Sequence, residues 1–289
     1  MTKHEQSSLI IGSTSVLGSA IAESLSDLGH VRTAGRRHAD FVFDLADPDV
    51  TVAHGHSFDA AVLVASDFGG PTGDDLIRAT QVNVVGALAA CKLAFGVGVK
   101  HFVLISTLSS TYEPGDPYFG SYALSKRQGE EAVSLFCRQH EIHLTILRPT
   151  GLYDVEGKCR AHQGLLYGIV DYARAGTDFT IAGSADPLRN YLHVRDLARV
   201  VFRVIEERSV GVFPCVHSES LRISEIASLA YEVFGRGGRV RFDPSKADIP
   251  ATPAAPRTEI YDRLSIWPLI TLKEGMRQIR DFSFAGGST

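Results

Sequence analysis

Short, wholly apolar runs recur along the first half of the chain, each followed by a stretch with helical spacing. Leu9-Ile10-Ile11, Ala60 to Ala65 (AAVLVA), Phe102 to Ile105 (FVLI) and Leu144 to Leu147 (LTIL) carry no alternating polar face. Strands without a solvent side are parallel strands covered on both faces by helices. Val31 to Ala34 and Asp40 to Phe43 read as two further strands. Helices are predicted over Ser19 to Leu28, stopped by Gly29, over Ala79 to Phe95 and over Ser125 to Gln139. The predicted fold class is therefore α/β, a doubly wound parallel sheet. The ligand crevice of such a sheet lies at the carboxyl ends of its strands. Here those ends are residues 12–18, Gly35 to Arg37, Asp44, Ala65-Ser66 and Ser106 to Thr111.

After Arg148-Pro149 the rhythm loosens, with one helix near Leu165 to Arg174 and a proline-rich tail from Val240. Residues 1–150 are expected to form the sheet domain, to which the chain returns at about 190–214. Residues 151–189 and 215–289 are expected to form a smaller C-terminal lobe over the crevice. A formal net charge of -4 offers no basic reservoir for binding nucleic acid. Cys91, Cys137, Cys159 and Cys215 are scattered without a CxxC pair, which argues for reduced thiols and no metal site. The polar N-terminus, MTKHEQSS, has no signal-peptide character. Val82 to Val99 is interrupted by Asn83, Gly86, Lys92, Gly96 and Gly98, which suits a buried helix better than a membrane span. A cytoplasmic location with no membrane partner is the expectation.

The loop Gly12-Ser13-Thr14-Ser15-Val16-Leu17-Gly18 stands at the first strand-to-helix junction. Gly12 permits a tight turn, Gly18 a close helix–sheet approach, and the amides at the helix start suit a pyrophosphate. The glycine usual in the middle of such loops is missing, and a hydroxyl on Ser15 could donate to a phosphate in its place. Arg36 and Arg37 follow the second strand, with no acid before Asp40. An arginine there pairs with a 2′-phosphate, whereas an acid would bind a ribose 2′-hydroxyl, so NADP(H) is favoured, with NAD as the alternative. Tyr122 and Lys126 stand at i and i+4, on one helix face. An ammonium beside a phenol is expected to lower the phenol pKa toward a workable acid–base range.

Taken in order, these motifs resemble the extended short-chain dehydrogenase/reductases, the NAD(P)-dependent epimerase/dehydratase group that acts mostly on nucleotide sugars. GSTSVLG is similar to that family's cofactor loop, Asp44-Leu45 to its adenine-contacting turn, and Val82-Asn83-Val84-Val85-Gly86 to its NVxG helix. Leu147-Arg148-Pro149-Thr150-Gly151-Leu152-Tyr153 resembles its LRPxxxYG. Arg189 to Asp196 resembles RDFVHVDD, and Trp267-Pro268 with Leu272-Lys273-Glu274-Gly275 its tail. The resemblance implies a Rossmann domain with a substrate-binding lobe, and a cofactor site of residues 12–18, Arg36, Arg37, Asp44, Leu45, Ala65, Ser66, Asn83, Lys126 and Pro149. It also implies Tyr122 as proton donor and acceptor, with Lys126 on the nicotinamide ribose. A third hydroxyl should bond the substrate oxygen; strand register favours Thr107, and Ser109 is the other candidate. Arg189 is implied on the substrate diphosphate, with Arg257 and Tyr112 as further substrate contacts. A homodimer packed through helices is also implied.

Departures from the family narrow the chemistry. Leu108 and Ser109 stand where family dehydratases carry Asp-Glu, and no cysteine lies between Ser106 and Tyr122, unlike the epimerase-reductases that make GDP-fucose. What remains is reduction of a keto-sugar nucleotide by NADPH, or 4-epimerisation through transient oxidation. A non-catalytic NADP(H)-binding regulator and a reductase of a non-nucleotide carbonyl are further alternatives. His140-Glu141-Ile142-His143 lacks the spacing of a metal-binding helix, His54-Gly55-His56 is isolated, and His193 is expected to pack rather than react.

Overall fold

A computed structural model describes residues 5–47, 57–267 and 269–285; His54 to His56 and Pro268 lie outside these. In chain order the first elements are β1 (Gln6–Ile11), α1 (Val16–Leu25), β2 (Gly29–Gly35), β3 (Phe41–Val42) and β4 (Ala60–Leu63). Then follow α2 (Gly73–Thr80), a π-helical segment (Gln81–Gly86), α3 (Ala87–Gly96), β5 (His101–Ile105), a 3₁₀ turn (Leu108–Thr111), α4 (Ser121–Gln139) and β6 (His143–Pro149). Next come β7 (Gly151–Tyr153), α5 (Gly164–Ala175), β8 (Phe179–Ala182), β9 (Leu188–Arg189), β10 (Tyr191–His193), α6 (Val194–Glu206) and β11 (Gly211–Cys215). The remainder is β12 (Leu221–Arg222), α7 (Ile223–Phe234), β13 (Val240–Asp243), α8 (Ile260–Arg263) and α9 (Leu272–Ala285).

Two compact units result. The first comprises Met1–Pro149, Leu197–Cys215 and Thr258–Ile266, and holds a seven-stranded sheet in the order β11-β6-β5-β4-β1-β2-β3, parallel throughout. From β1 the chain winds outward through β2 and β3, then restarts on the other side at β4. The switch point of this doubly wound Rossmann-type sheet therefore lies between β1 and β4. Leu9, Ile11, Ala61, Leu63, Phe102, Leu104 and Ile146 form the sheet's side of a core that takes Ala87, Ala90, Cys91 and Ala94 from α3 and Val133 from α4. Gly73–Gly96 is long and apolar enough to cross a membrane by composition, but half of its most apolar window is buried inside the protein. All four cysteines are free.

Several boundaries differ from the sequence reading for identifiable reasons. Helix α1 spans Val16–Leu25 rather than 19–28, because Ser15 in extended conformation caps it. Gly29 is not its stop but the first residue of β2, at φ +150°, where a Cβ would lie 2.2 Å from the Gln6 carbonyl oxygen. Helix α4 starts at Ser121, four residues early, which puts Tyr122 in its first turn. The long helix of residues 79–95 is a chain of three pieces with a π segment in the middle.

The second unit comprises Thr150–Asp196, Val216–Arg257 and Trp267–Thr289. It is built on three two-stranded pairings, β10 with β7, β12 with β9 and β13 with β8, and its core unites α5, α7 and α9 through Leu166, Val170, Ile226, Ala230, Met276 and Ile279. Tyr153 and His193 meet edge to face in this core, 5.0 Å between ring centres. His193 accepts a hydrogen bond at Nδ1 from the Arg195 amide at 3.1 Å, and burial, aided by Arg195, lowers its pKa to about 4. It is thus a packed neutral imidazole. The tail motif Leu272-Lys273-Glu274-Gly275 has a local purpose: at Gly275 a Cβ would stand 2.1 Å from the Tyr153 hydroxyl. Because Tyr153 is wholly buried, that collision cannot be relieved toward solvent. Gly275→Ala is expected to cost about 1–3 kcal/mol by overpacking, read as a lower denaturant midpoint at unchanged slope; an unchanged midpoint would show that the ring moves aside freely.

Candidate active site

The carboxyl ends of β1 and β4 are pressed together at the switch point. Gly12 has φ +98°, and a Cβ there would lie 2.6 Å from the amide nitrogen and the Cβ of Ala65. A Cβ at Gly18 would lie 2.3 Å from the Gly12 carbonyl oxygen. Both ends of GSTSVLG are therefore held to glycine by backbone contact. Between them Ser15 has φ -74°, a conformation open to any L-residue, so the missing middle glycine leaves no strain. The Ser15 hydroxyl donates to the Gly12 carbonyl at 3.0 Å and accepts from the Gly18 amide at 3.0 Å. It is thus the N-cap of α1. Ser13 and Val16 are half-buried, Thr14 is exposed, and Leu17 belongs to the core. The first-turn amides of α1, lacking partners within the helix, face the crevice end of the sheet with the positive end of the helix dipole.

At the end of β2 Arg36 and Arg37 are exposed. The first acid after them is already committed: Asp40 accepts from Arg32 at 2.9 Å, from the Thr33 amide at 2.8 Å and from the Thr33 hydroxyl at 2.9 Å. These contacts, led by the Arg32 bond, hold its carboxyl below the usual range. Asp44 accepts from the Ala46 amide at 3.0 Å and shapes the turn that buries Leu45. Gly86 lets the π segment lie on that turn, since a Cβ would come within 2.4 Å of the Leu45 carbonyl oxygen.

Tyr122, Thr107 and Ser66 meet at the ends of β4, β5 and α4. The half-buried Tyr122 phenol is pushed up to about 12 by burial, against hydrogen bonds with Thr107 and Ser66 that pull it down. Thr107 and Ser109 hydroxyls are 3.0 Å apart, and Thr107 also accepts from the Ser109 amide at 3.3 Å. Of the two hydroxyls that the sequence leaves open, Thr107 is thus the one bonded to Tyr122. Lys126, one turn on, is buried and donates to the Ile105 carbonyl at 2.8 Å. Burial lowers its pKa to about 8, with Glu130 acting in the opposite sense. The phenol is therefore raised rather than lowered: desolvation dominates, and Lys126 is not among the groups that shift it.

Glu130, a further turn along α4, was not anticipated, although it continues the spacing 122, 126, 130. It is buried and gathers the Ser106 hydroxyl, the Ser110 hydroxyl at 2.7 Å and the Arg148 guanidinium, whose Nε lies 3.1 Å from both carboxylate oxygens. Arg148, of the Leu147-Arg148-Pro149 motif, is thus an anchor for α4. Asn83 is also spoken for: its amide donates to the Asp67 carbonyl at 2.7 Å and to Ser125 at 2.9 Å, and accepts from the Asp67 amide at 2.9 Å. It braces the β4 loop against α4.

Pro149 ends β6 opposite Cys215 of β11. Tyr112 is 8% exposed in the first unit. Arg189 and Arg257 belong to the second unit; Arg189 donates to the Leu188 and Pro250 carbonyls, each at 2.8 Å, and Arg257 is exposed. Among the described residues no group of three or more His, Cys, Asp or Glu could hold a metal.

Residues 8–214 match the sequence profile described as "NAD dependent epimerase/dehydratase family". A dTDP-4-dehydro-6-deoxy-D-allose reductase from Streptomyces sp is 29% identical over 126 residues, a stretch that spans 43% of this chain and 39% of that protein. A protein of Oryza sativa subsp. japonica named "Probable GDP-L-fucose synthase 1" is 29% identical over 306 aligned positions, covering 92% of this chain and 88% of its own. Among solved structures, RMD from Pseudomonas aeruginosa complexed with NADPH superposes with a TM-score of 0.76 at 19% identity, over 96% of this chain and 98% of that one. This last likeness establishes the fold.

The double role of Ser15 yields a measurable expectation. Ser15→Ala removes the cap of α1 and is expected to cost about 0.5–2 kcal/mol, whereas Ser15→Gly costs only a few tenths. Equal losses in the two variants, measured by chemical denaturation, would contradict the capping role.

Proposed function

From the premise that this chain belongs to the NAD dependent epimerase/dehydratase family, we propose that it reduces a keto-sugar nucleotide with NADPH. The observation that carries the reading is the Tyr122 centre: a phenol held in its protonated form, hydrogen-bonded with Thr107 and Ser66, one helical turn before a buried lysine. A protonated phenol is the acid that a carbonyl reduction needs. The keto-sugar class is supported by the name of the dTDP-4-dehydro-6-deoxy-D-allose reductase relative, and the sugar-nucleotide class by that of the GDP-L-fucose synthase.

The residues present fit a dinucleotide, since Gly12 and Gly18 let the end of β1, Ala65 and the start of α1 meet in backbone contact, which sets the first-turn amides of α1 at the strand ends. Residues 12–18 would hold the pyrophosphate, Asp44-Leu45 the adenine, Arg36 and Arg37 the 2′-phosphate, and Lys126 the nicotinamide ribose. NADP(H) is supported further by the commitment of Asp40 to Arg32 and Thr33, which leaves arginines and no carboxylate at the end of β2. When bound, the dinucleotide supplies the hydride that the carbonyl carbon accepts. Thr107 and Tyr122 hydrogen-bond the carbonyl oxygen, and Tyr122 transfers its phenolic proton to that oxygen, leaving a hydroxyl. Arg189 binds the substrate diphosphate.

Tyr122→Phe is expected to lower kcat for a dTDP- or GDP-linked 4-keto-6-deoxy sugar by about 10²–10⁴-fold while NADPH still binds. NADPH oxidation with no keto-sugar nucleotide present, or unchanged turnover by Tyr122→Phe, would overturn the reading. The pH dependence has a fixed sign. With Lys126 near 8 and Tyr122 near 12, reduction should fall as pH rises through about 8, where the ammonium loses its proton while the phenol keeps its own. A profile that instead rises across that range would count against Lys126 acting as a cation. Separately, Arg36→Ala with Arg37→Ala should weaken NADPH binding by about 10–100-fold, as for loss of charged hydrogen bonds, and leave NADH binding within a factor of two. Parallel loss of both cofactors would reassign these arginines.

A further inference from the structure

Phe68 lies two residues beyond Ser66 on the loop that leaves β4, and it carries no signal in the sequence. Its ring stacks on Tyr122, with centroids 5.1 Å apart and planes inclined by 23°, yet it is 50% exposed. The backbone on both sides of this ring is tied down. Ahead of it, Asp67 exchanges two backbone hydrogen bonds with Asn83 at 2.9 and 2.7 Å, and its carboxylate takes Arg78 Nε at 2.7 Å and the Gly69 amide at 2.7 Å.

Behind it, Gly70 exchanges hydrogen bonds with the Ser121 hydroxyl at 2.9 and 2.8 Å. Gly69, at φ +67°, fits only as glycine, because a Cβ would lie 2.2 Å from that same Ser121 oxygen. Ser121 is the residue before Tyr122. The loop is therefore tied on its far side to the first residue of α4, and on its near side to Asn83, which also bonds Ser125 of α4. Both ties run to the helix that presents the phenol, so Phe68 and Tyr122 share one frame.

We propose that Phe68 is a positioning residue for Tyr122: it fixes the plane of the phenol by stacking and keeps water from one of its faces, so that the ring is held in line for proton transfer. An offset stack of this kind is a preferred aromatic arrangement and contributes beyond the area it buries. A ring with a free face would rotate and solvate, and misplacement of a reacting group by about 1 Å costs rate steeply. The desolvation that raises the Tyr122 phenol is consistent with such a cover. The elements around the phenol carry Lys126, Arg127, Glu130, Glu131 and Arg138 on its own helix, Asp67 on the loop, Asp74, Asp75 and Arg78 on α2, and Arg148 on β6. None of them is among the causes of that shift.

The inference rests on Tyr122 being the proton donor, and its test separates the two claims. The ionised fraction of Tyr122 at pH 10.5 is read in the substrate-free protein by ¹³C NMR of labelled tyrosine, with Tyr122→Phe identifying the signal. Phe68→Ala should raise that fraction several-fold toward the behaviour of an ordinary phenol, whose pKa is about 10, and Phe68→Tyr should restore the wild-type value. With a keto-sugar nucleotide, Phe68→Ala should lower kcat on the order of tenfold and leave the KM for NADPH within a factor of two. Phe68→Leu, which keeps most of the volume and loses the ring, should match Phe68→Ala in both readings and excludes a folding defect as the cause. An unchanged ionised fraction in Phe68→Ala and Phe68→Leu overturns the proposal whatever happens to kcat. A shifted fraction in a protein that turns over no keto-sugar nucleotide leaves the stacking role standing and removes the substrate reading instead.

Discussion

A buried carboxylate organises the chemistry of this chain. Glu130 is 5% exposed, and a charge taken out of water survives only when its lone pairs are filled. Four donors fill them: two from the Arg148 guanidinium and one each from Ser106 and Ser110. Because these donors sit on β6 and on either side of the turn after β5, the requirement to neutralise one charge fixes α4 against two strand ends. Thr107 lies between the two serines. Its hydrogen bond with Tyr122 is thus set by a network that never touches the phenol, and removal of Arg148 would leave the Glu130 carboxylate buried without its cation.

The same region shows why some features were legible in the sequence and others were not. Steric rules act locally and leave residue-type signatures, so Gly12 and Gly18 could be read as a turn and a close approach without coordinates, and the i, i+4 relation of Tyr122 and Lys126 followed from helix geometry alone. The wholly apolar runs gave away a parallel sheet for the same reason, since each residue answers only to its own burial. Arg36 and Arg37 could be placed at the end of β2, but the commitment of Asp40 to Arg32 and Thr33 depends on how β2 and β3 pair, which no local pattern records. The Ser15 hydroxyl stood out as a phosphate donor in place of the missing middle glycine; that it also caps α1 depends on how the loop folds onto the helix, which the sequence does not display.

Features that depend on contacts between distant segments were invisible. The stacking of Phe68 on Tyr122 joins residues 54 positions apart by way of Asn83 and Ser121, and a lone phenylalanine after a strand has no distinguishing neighbour in sequence. Asn83 itself was legible as part of a family motif but not as a brace. Its side chain reaches both the β4 loop and α4 from a π-helical segment, a form of helix with a wider turn that appears often at functional sites. Periodicity cannot announce such a turn, because one residue in excess shifts the phase of everything after it and blurs the apolar stripe from Ala79 to Phe95.

The balance at Tyr122 follows from these contacts. Charge proximity and burial act in opposite directions on a phenol, and the sequence displays only the first, through the lysine one turn away. In the folded chain the Lys126 ammonium donates to the Ile105 carbonyl at 2.8 Å, and its own pKa is lowered by the same desolvation that raises the phenol's. The two groups, one turn apart on α4, thus each move toward their neutral forms, a protonated phenol and an amine that gives up its proton near pH 8.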